Sequence, residues 1–215
     1  MSAQPPRRRP GTTKLVAILM AGGMGWLLTK PARRLPPLTP TTLADGLGPV
    51  VERHFWIEVS GARQSALQVV EHAVDSFPEL MPRPLAFVWK LTGAPQSAQV
   101  GDRYGLIMAA RLGATRLALR EPLRFREQTL RHHPESGWTQ LRAFPGDADG
   151  YRLEVLTCTR SSTRLDRLGY LLGVSRLQRL TWEGFLQRLL TYSGGRQTGA
   201  GHHTGERPYL GATSE

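Results

Sequence analysis

The chain has 215 residues, 40% of them hydrophobic, which suits one packed domain with extra segments. Its one cysteine, Cys158, excludes an intramolecular disulfide. Lys plus Arg number 28 against 17 Asp plus Glu, a net charge of +11. Lysine occurs only at positions 14, 30 and 90, so the excess is nearly all arginine. Such an excess fits an anionic partner or a solvated arginine-rich surface. Aromatic residues do not interleave with the arginines as on a platform for stacked bases, so nucleic acid is not expected as a partner. No CxxC or HExxH pattern occurs. The histidine pairs His132–His133 and His202–His203 are adjacent in sequence, and a strand sends adjacent side chains to opposite faces. No metal and no cofactor are expected. Cys158, within "LEVLTCTR", reads as a half-buried strand residue rather than a nucleophile.

Residues 1–14, "MSAQPPRRRPGTTK", form a basic polar tail. Residues 15–28, "LVAILMAGGMGWLL", are wholly apolar, and Lys30, Arg33 and Arg34 follow. A spanning helix needs about 20 apolar residues, and this run is shorter, although lysines at both ends can snorkel. A signal peptide would need a small-residue cleavage site, which "TKPARRLPP" does not offer convincingly. Glycines at 22, 23 and 25 weaken a helix in water but are tolerated in lipid. The preferred reading of 15–29 is an uncleaved membrane anchor, with a signal segment and a buried helix as alternatives. The slight basic excess before it points to a domain outside the cytoplasm, with secreted and cytoplasmic locations as alternatives. Residues 30–49 read as a Pro-rich linker.

The folded part is expected at 50–193. "VERHFWIEVSG" alternates His54, Trp56 and Glu58 against Phe55, Ile57 and Val59, a strand pattern. Ala66, Val69, Val70, Ala73, Val74 and Phe77 recur at helical spacing and predict an amphipathic helix ending before Pro78. Strands are then expected at "LAFVWKLTG", in two pieces of "GDRYGLIMAARLGATRLALREP" with a loop near Leu112–Gly113, at "LRFREQTLR", and on both sides of the turn "PGDADG". A long helical region follows from "STRLDRLGYLL" to "LLTYSG". Leu165, Leu168, Leu171 and Leu172 share one stripe, which Leu177, Leu180, Phe185, Leu186 and Leu189 continue. Gly169 and Gly173 mark a kink or break, and Gly194 and Gly195 stop the helix. The Gly-rich residues 194–215 are expected to be disordered.

One strand, one helix, about six strands and a long last helix predict an α+β fold. A curved antiparallel sheet must cover its apolar face, and only the C-terminal helix is large enough to do so. That is a helix-grip arrangement with a ligand cavity between sheet and helix, similar to the START-like (Bet v 1-like, SRPBCC) superfamily.

The octet "RHHPESGW", residues 131–138, carries a narrower resemblance. Pro134 fixes its own φ and extends His133, and Gly137 can take positive φ. The octet therefore suits a hairpin turn. His133-Pro134-Glu135-Ser136-Gly137, with Glu154-Val155 and Gln178-Arg179, resembles the DUF1990 (UPF0548) family over roughly residues 100–190. Trp138 departs from it, standing where that family has an acidic residue. The resemblance implies a fold rather than an activity.

The candidate ligand-binding residues are His133, Glu135, Trp138, Arg103, Arg124 and Arg126. His133 and Glu135 at a cavity mouth could act as an oriented acid–base pair. The arginines imply an anionic ligand if they face the cavity, and a solvated face if they do not. The functional expectation is a membrane-tethered domain that binds an apolar or amphipathic small molecule. A cyclase- or hydrolase-like enzyme using the same cavity is the alternative, and no complete catalytic set is visible.

Overall fold

A computed structural model describes residues 38–146 and 150–211. The expected anchor at 15–28 lies outside the described residues. No helix among the described residues is long and apolar enough to cross a membrane.

Eight antiparallel strands form one sheet in the order β2-β3-β4-β5-β6-β7-β1-β8. The strands are β1 (Leu47–Ser60), β2 (Ala86–Lys90), β3 (Arg103–Met108), β4 (Arg111–Glu121), β5 (Arg124–Thr129), β6 (Glu135–Pro145), β7 (Tyr151–Ser161) and β8 (Arg196–Arg207). The helices are α1 (Ala66–Asp75), α2 (Phe77–Leu80), α3 (Arg164–Gly169) and α4 (Ser175–Ser193), with a π-helical turn over Tyr170–Val174 between the last two. The sheet grips α4, and α1 and α2 complete the cover. This is the helix-grip fold expected from the order of elements.

Local sequence explains the element ends. The Ser65 hydroxyl accepts from the Gln68 N–H while the Gln68 side chain accepts from the Ser65 N–H, a reciprocal cap that starts α1. α1 ends at Asp75, before Pro78 as expected, and Pro78 sits in the first turn of α2, where its missing N–H costs nothing. Gly194, at φ 66°, closes α4.

Strand alternation puts Val51, Phe55, Ile57 and Val59 of β1 and Leu153 and Val155 of β7 on the concave face, where they are buried. Phe77 packs edge-on against Tyr104, Phe125 and Phe185 at 5.8–6.0 Å between ring centroids. These rings join sheet, α2 and α4 into one core.

Four expectations need correction. The Gly-rich stretch taken for a disordered tail forms β8, which pairs along β1 from Val50↔Arg207 to Ser60↔Arg196. Its glycines are a packing requirement: a Cβ at Gly201 would stand 2.3 Å from the Trp56 ring, and one at Gly199 would stand 2.6 Å from the Glu58 carboxylate. Part of the Pro-rich linker also joins the fold, since Pro40 bridges to Leu130 and the Thr41 N–H donates to the Thr129 carbonyl. The turn of the third and fourth strands falls on Ala109–Ala110, both at positive φ, rather than at Leu112–Gly113. Finally, the leucine stripe does not continue. Phe185, Leu186 and Leu189 are buried, but Leu165, Leu168, Leu171, Leu172 and Leu180 are exposed. The break at Gly173 (φ 125°) rotates α3 and the π turn out of register with α4.

Candidate ligand site

Strand register divides the concave face into an apolar half and a polar belt. One cross-strand row runs Phe125↔Leu141↔Val155↔Phe55, all buried. Two residues along, the matching row runs Glu127↔Thr139↔Thr157↔Arg53. The two rows lie side by side on the same face because side chains repeat every second residue. At about 4.8 Å between strands, the belt spans roughly 14 Å from Glu127 to Arg53.

Arg53 is almost fully buried, which demands partners. Its Nη1 donates to the hydroxyls of Thr157 and Thr159, each at 3.2 Å. Its Nη2 donates to Glu135 Oε1 at 3.1 Å. Thr159 Oγ1 donates to the same carboxylate oxygen at 3.1 Å, and Gln178 Nε2 of α4 donates to Glu135 Oε2 at 2.8 Å. The Tyr170 ring covers the Arg53 guanidinium at 5.0 Å. Burial alone would push the Glu135 carboxyl up. Arg53, Gln178, His133 and Thr159 together hold it below the usual carboxylate range.

His133 adjoins this cluster through the Glu135 backbone. It is buried, and its Nδ1 meets the Glu135 backbone twice, 3.0 Å from the N–H and 2.9 Å from the carbonyl oxygen, accepting from the first in one tautomer and donating to the second in the other. Burial holds its pKa below the ordinary histidine value, against the pull of the Glu135 and Asp166 charges. A Cβ on Gly113 would come within 2.7 Å of this imidazole, so that glycine makes room for it. His133 thus positions Glu135 through the backbone.

Glu127 stands at the other end of the belt and is 3% exposed. Burial pushes its pKa up to about 8, the Thr115 hydroxyl opposing and the Asp102 charge adding to the rise. At neutral pH it is a carboxylic acid able to donate a hydrogen bond. The belt therefore carries a fixed ion pair at one end and a neutral acid at the other. Three buried polar atoms on it have no hydrogen-bond partner: Arg53 Nε, Gln178 Oε1 and Glu127 Oε2.

Among the six sequence candidates, only His133 and Glu135 belong to this cluster. Trp138, Arg124 and Arg126 occupy the alternate, convex phase of their strands. Arg126 packs over the Trp138 ring at 4.4 Å and donates to Gln140 at 3.1 Å, and Arg124 pairs with exposed Glu121 at 2.6 Å. Arg103 is exposed on the phase opposite buried Tyr104. The four therefore form part of an outer surface and do not converge on a ligand. Gly137 takes the positive φ expected of it, at 144°, but in another place. It lies inside β6 rather than at the turn, and a Cβ there would stand 2.1 Å from the Cys158 carbonyl. The positive-φ residue of the turn is His132, at 77°.

Arg53, Glu127, Thr139 and Thr157 were not among the sequence candidates, and Gln178 was named there only as part of the DUF1990-like resemblance. Arg53 and Glu127 were detectable, because each sits on the apolar phase of its strand, between Val51 and Phe55 and between Phe125 and Thr129. No group of three or more His, Cys, Asp or Glu that could hold a metal ion occurs among the described residues.

No protein-family model matches the chain, and no match is found among the curated proteins. Solved structures similar to it include a hypothetical protein of Helicobacter pylori, 13% identical, covering 76% of this chain and 94% of that one with a TM-score of 0.49. The di-domain aromatase/cyclase StfQ of the steffimycin biosynthetic pathway is 16% identical, with 71% and 52% covered and a TM-score of 0.48. A START superfamily protein of Mycobacterium smegmatis is 14% identical, with 68% and 98% covered and a TM-score of 0.44. At these scores the likeness assigns no activity, and the helix-grip architecture stands on this chain's own strand order and covering helix.

Proposed function

We propose that the domain binds an amphipathic small molecule between sheet and α4, with the molecule's polar end on the belt from Arg53 to Glu127 and its apolar part against the phenylalanine-rich half. The observation that carries this reading is the set of buried polar atoms without partners on a face that is otherwise core. An interior evolved only for stability would place apolar groups there. Two oxygens on the ligand's polar end, one accepting from Arg53 Nε and the other from protonated Glu127, would satisfy both. A DUF1990-like assignment of the chain, which rests on the resemblance of the "HPESG" residues, belongs to the same proposal.

A cyclase- or hydrolase-like reaction is the second reading. It is favoured by one feature, a buried carboxylic acid that keeps its proton up to about pH 8 and so could deliver it to a bound carbonyl or alkoxide. Binding requires less of the site than turnover does, and it is the primary reading.

Titration with 8-anilinonaphthalene-1-sulfonate, an aromatic anion, tests the binding reading. Saturable one-to-one fluorescence enhancement, weakened at least tenfold in Thr139→Val and Gln178→Leu proteins that melt like the wild type, is the expected result. Equal affinity in all three would place the probe elsewhere and remove the support for the belt.

A further inference from the structure

We propose that α3 and the π turn dock on the surface of an anionic membrane, with Leu168, Leu171 and Leu172 entering the headgroup region. This inference rests on a surface separate from the belt and does not require the ligand reading to hold.

Leu165, Leu168, Leu171 and Leu172 are 65%, 52%, 64% and 79% exposed. Single exposed leucines are ordinary, but four within eight residues of one helical segment form a patch. The fold holds them outward. Tyr170 points the other way, onto Arg53 at 5.0 Å and Arg167 at 5.4 Å, and this inward anchor leaves Leu171 and Leu172 facing solvent. The β3–β4 tip extends the patch. Arg111 pairs with Asp166 of α3 at 2.8 Å, and its neighbour Leu112 is also exposed.

Charge selects the occupant. Residues 164–180 contain four arginines, at 164, 167, 176 and 179, and one acid, Asp166. Asp166 is already paired with Arg111, Arg167 pairs with Glu206, and Arg179 pairs with Glu183. Among the described residues no carboxylate pairs with Arg164 or Arg176. Leucines flanked by unpaired arginines complement an anionic lipid surface, where the apolar groups reach the acyl boundary and the guanidiniums meet phosphates. A second copy would bring one cationic segment against another. The chain's own apolar residues 15–28 would cover the leucines but leave the arginines unanswered.

The test uses the full chain carrying Leu172→Cys labelled with the environment-sensitive fluorophore NBD. Cys158 is buried and does not compete for the label. Phosphatidylcholine vesicles containing phosphatidylglycerol should shift the emission to shorter wavelength. Phosphatidylcholine alone should not, and Arg164→Glu with Arg176→Glu should abolish the shift. An unchanged spectrum on anionic vesicles to which the protein has bound overturns the proposal, since attachment then occurs elsewhere. Emission already blue-shifted without vesicles also overturns it: concentration dependence then identifies a second copy as the cover, and its absence identifies the chain's own segment.

Discussion

Arg53 on β1 reaches across β7 to donate to Glu135 on β6 at 3.1 Å, and Thr157 and Thr159 of the strand between them complete the coordination. The pair ties together three strands. Through Gln178, it also ties the sheet to the N-terminal half of α4.

Breaking that pair from one side strands a buried charge, which typically costs about 3–5 kcal/mol. Arg53→Met should therefore destabilise by that order. Combining it with Glu135→Gln should recover much of the loss, because neither charge then remains alone. Urea unfolding of the two single variants and the double variant measures the coupling. Additive losses would mean that the ion pair is not energetically real.

Glu127 makes stability depend on pH in a definite direction. Its folded pKa, about 8, exceeds its ordinary value of 4.5. Between those values the folded state holds a proton that the unfolded state releases. Stability is thus fully present below about pH 4.5, falls as pH rises, and levels off above pH 8, with a slope of up to about 1.4 kcal/mol per unit from this group. Glu127→Gln should flatten the curve in that window. Glu135, held low, acts oppositely: its contribution is present above the usual carboxylate range and is lost as pH falls below it.

The octet yields a pair of opposite effects. His132 is strained at φ 77°, so His132→Gly should be neutral or stabilise by up to about 1 kcal/mol. His133→Ala removes the ring nitrogen that the Glu135 backbone meets at 2.9–3.0 Å and should cost about 1–3 kcal/mol. Gly137→Val should prevent folding, given the carbonyl 2.1 Å from its Cβ. Thermal melts order the three variants.

For β8, Gly201→Val forces a side chain into the Trp56 ring and should loosen the β1–β8 pairing without unfolding the core. Amide exchange should then speed up over 196–207 while β6 and β7 stay protected. Loss of protection throughout the sheet would show that β8 is more than an added edge.

Much of this architecture was legible in the sequence because it rests on periodicity. Alternation in "VERHFWIEV" and "FREQT" and the spacing of Val69, Val70, Ala73 and Val74 each name a face, and a sheet with one long helix has few ways to close. What escaped depends on contacts distant in sequence. β8 buries almost nothing of its own and exists because β1 offers an open edge, so its glycines read as disorder until Trp56 and Glu58 are seen beside them. The leucines of α3 carry a helical stripe, but whether it turns inward depends on one backbone angle at Gly173. Within the octet, Glu135 could be singled out by type alone. Its partner Arg53, 82 residues earlier, becomes visible only through the β6-β7-β1 order. Trp138, Arg124 and Arg126 were placed by residue type rather than by strand phase, and phase decides against them.

If the belt holds the polar end of a bound compound, that compound should stay with the protein through purification. Mass spectrometry of organic extracts from purified full-length protein tests it most directly, comparing the wild type with Thr139→Val and Gln178→Leu at matched fold content. The wild type should yield an amphipathic compound in near-stoichiometric amount, reduced at least tenfold in both variants. Extracts that carry the same compound at the same level from all three proteins would contradict it.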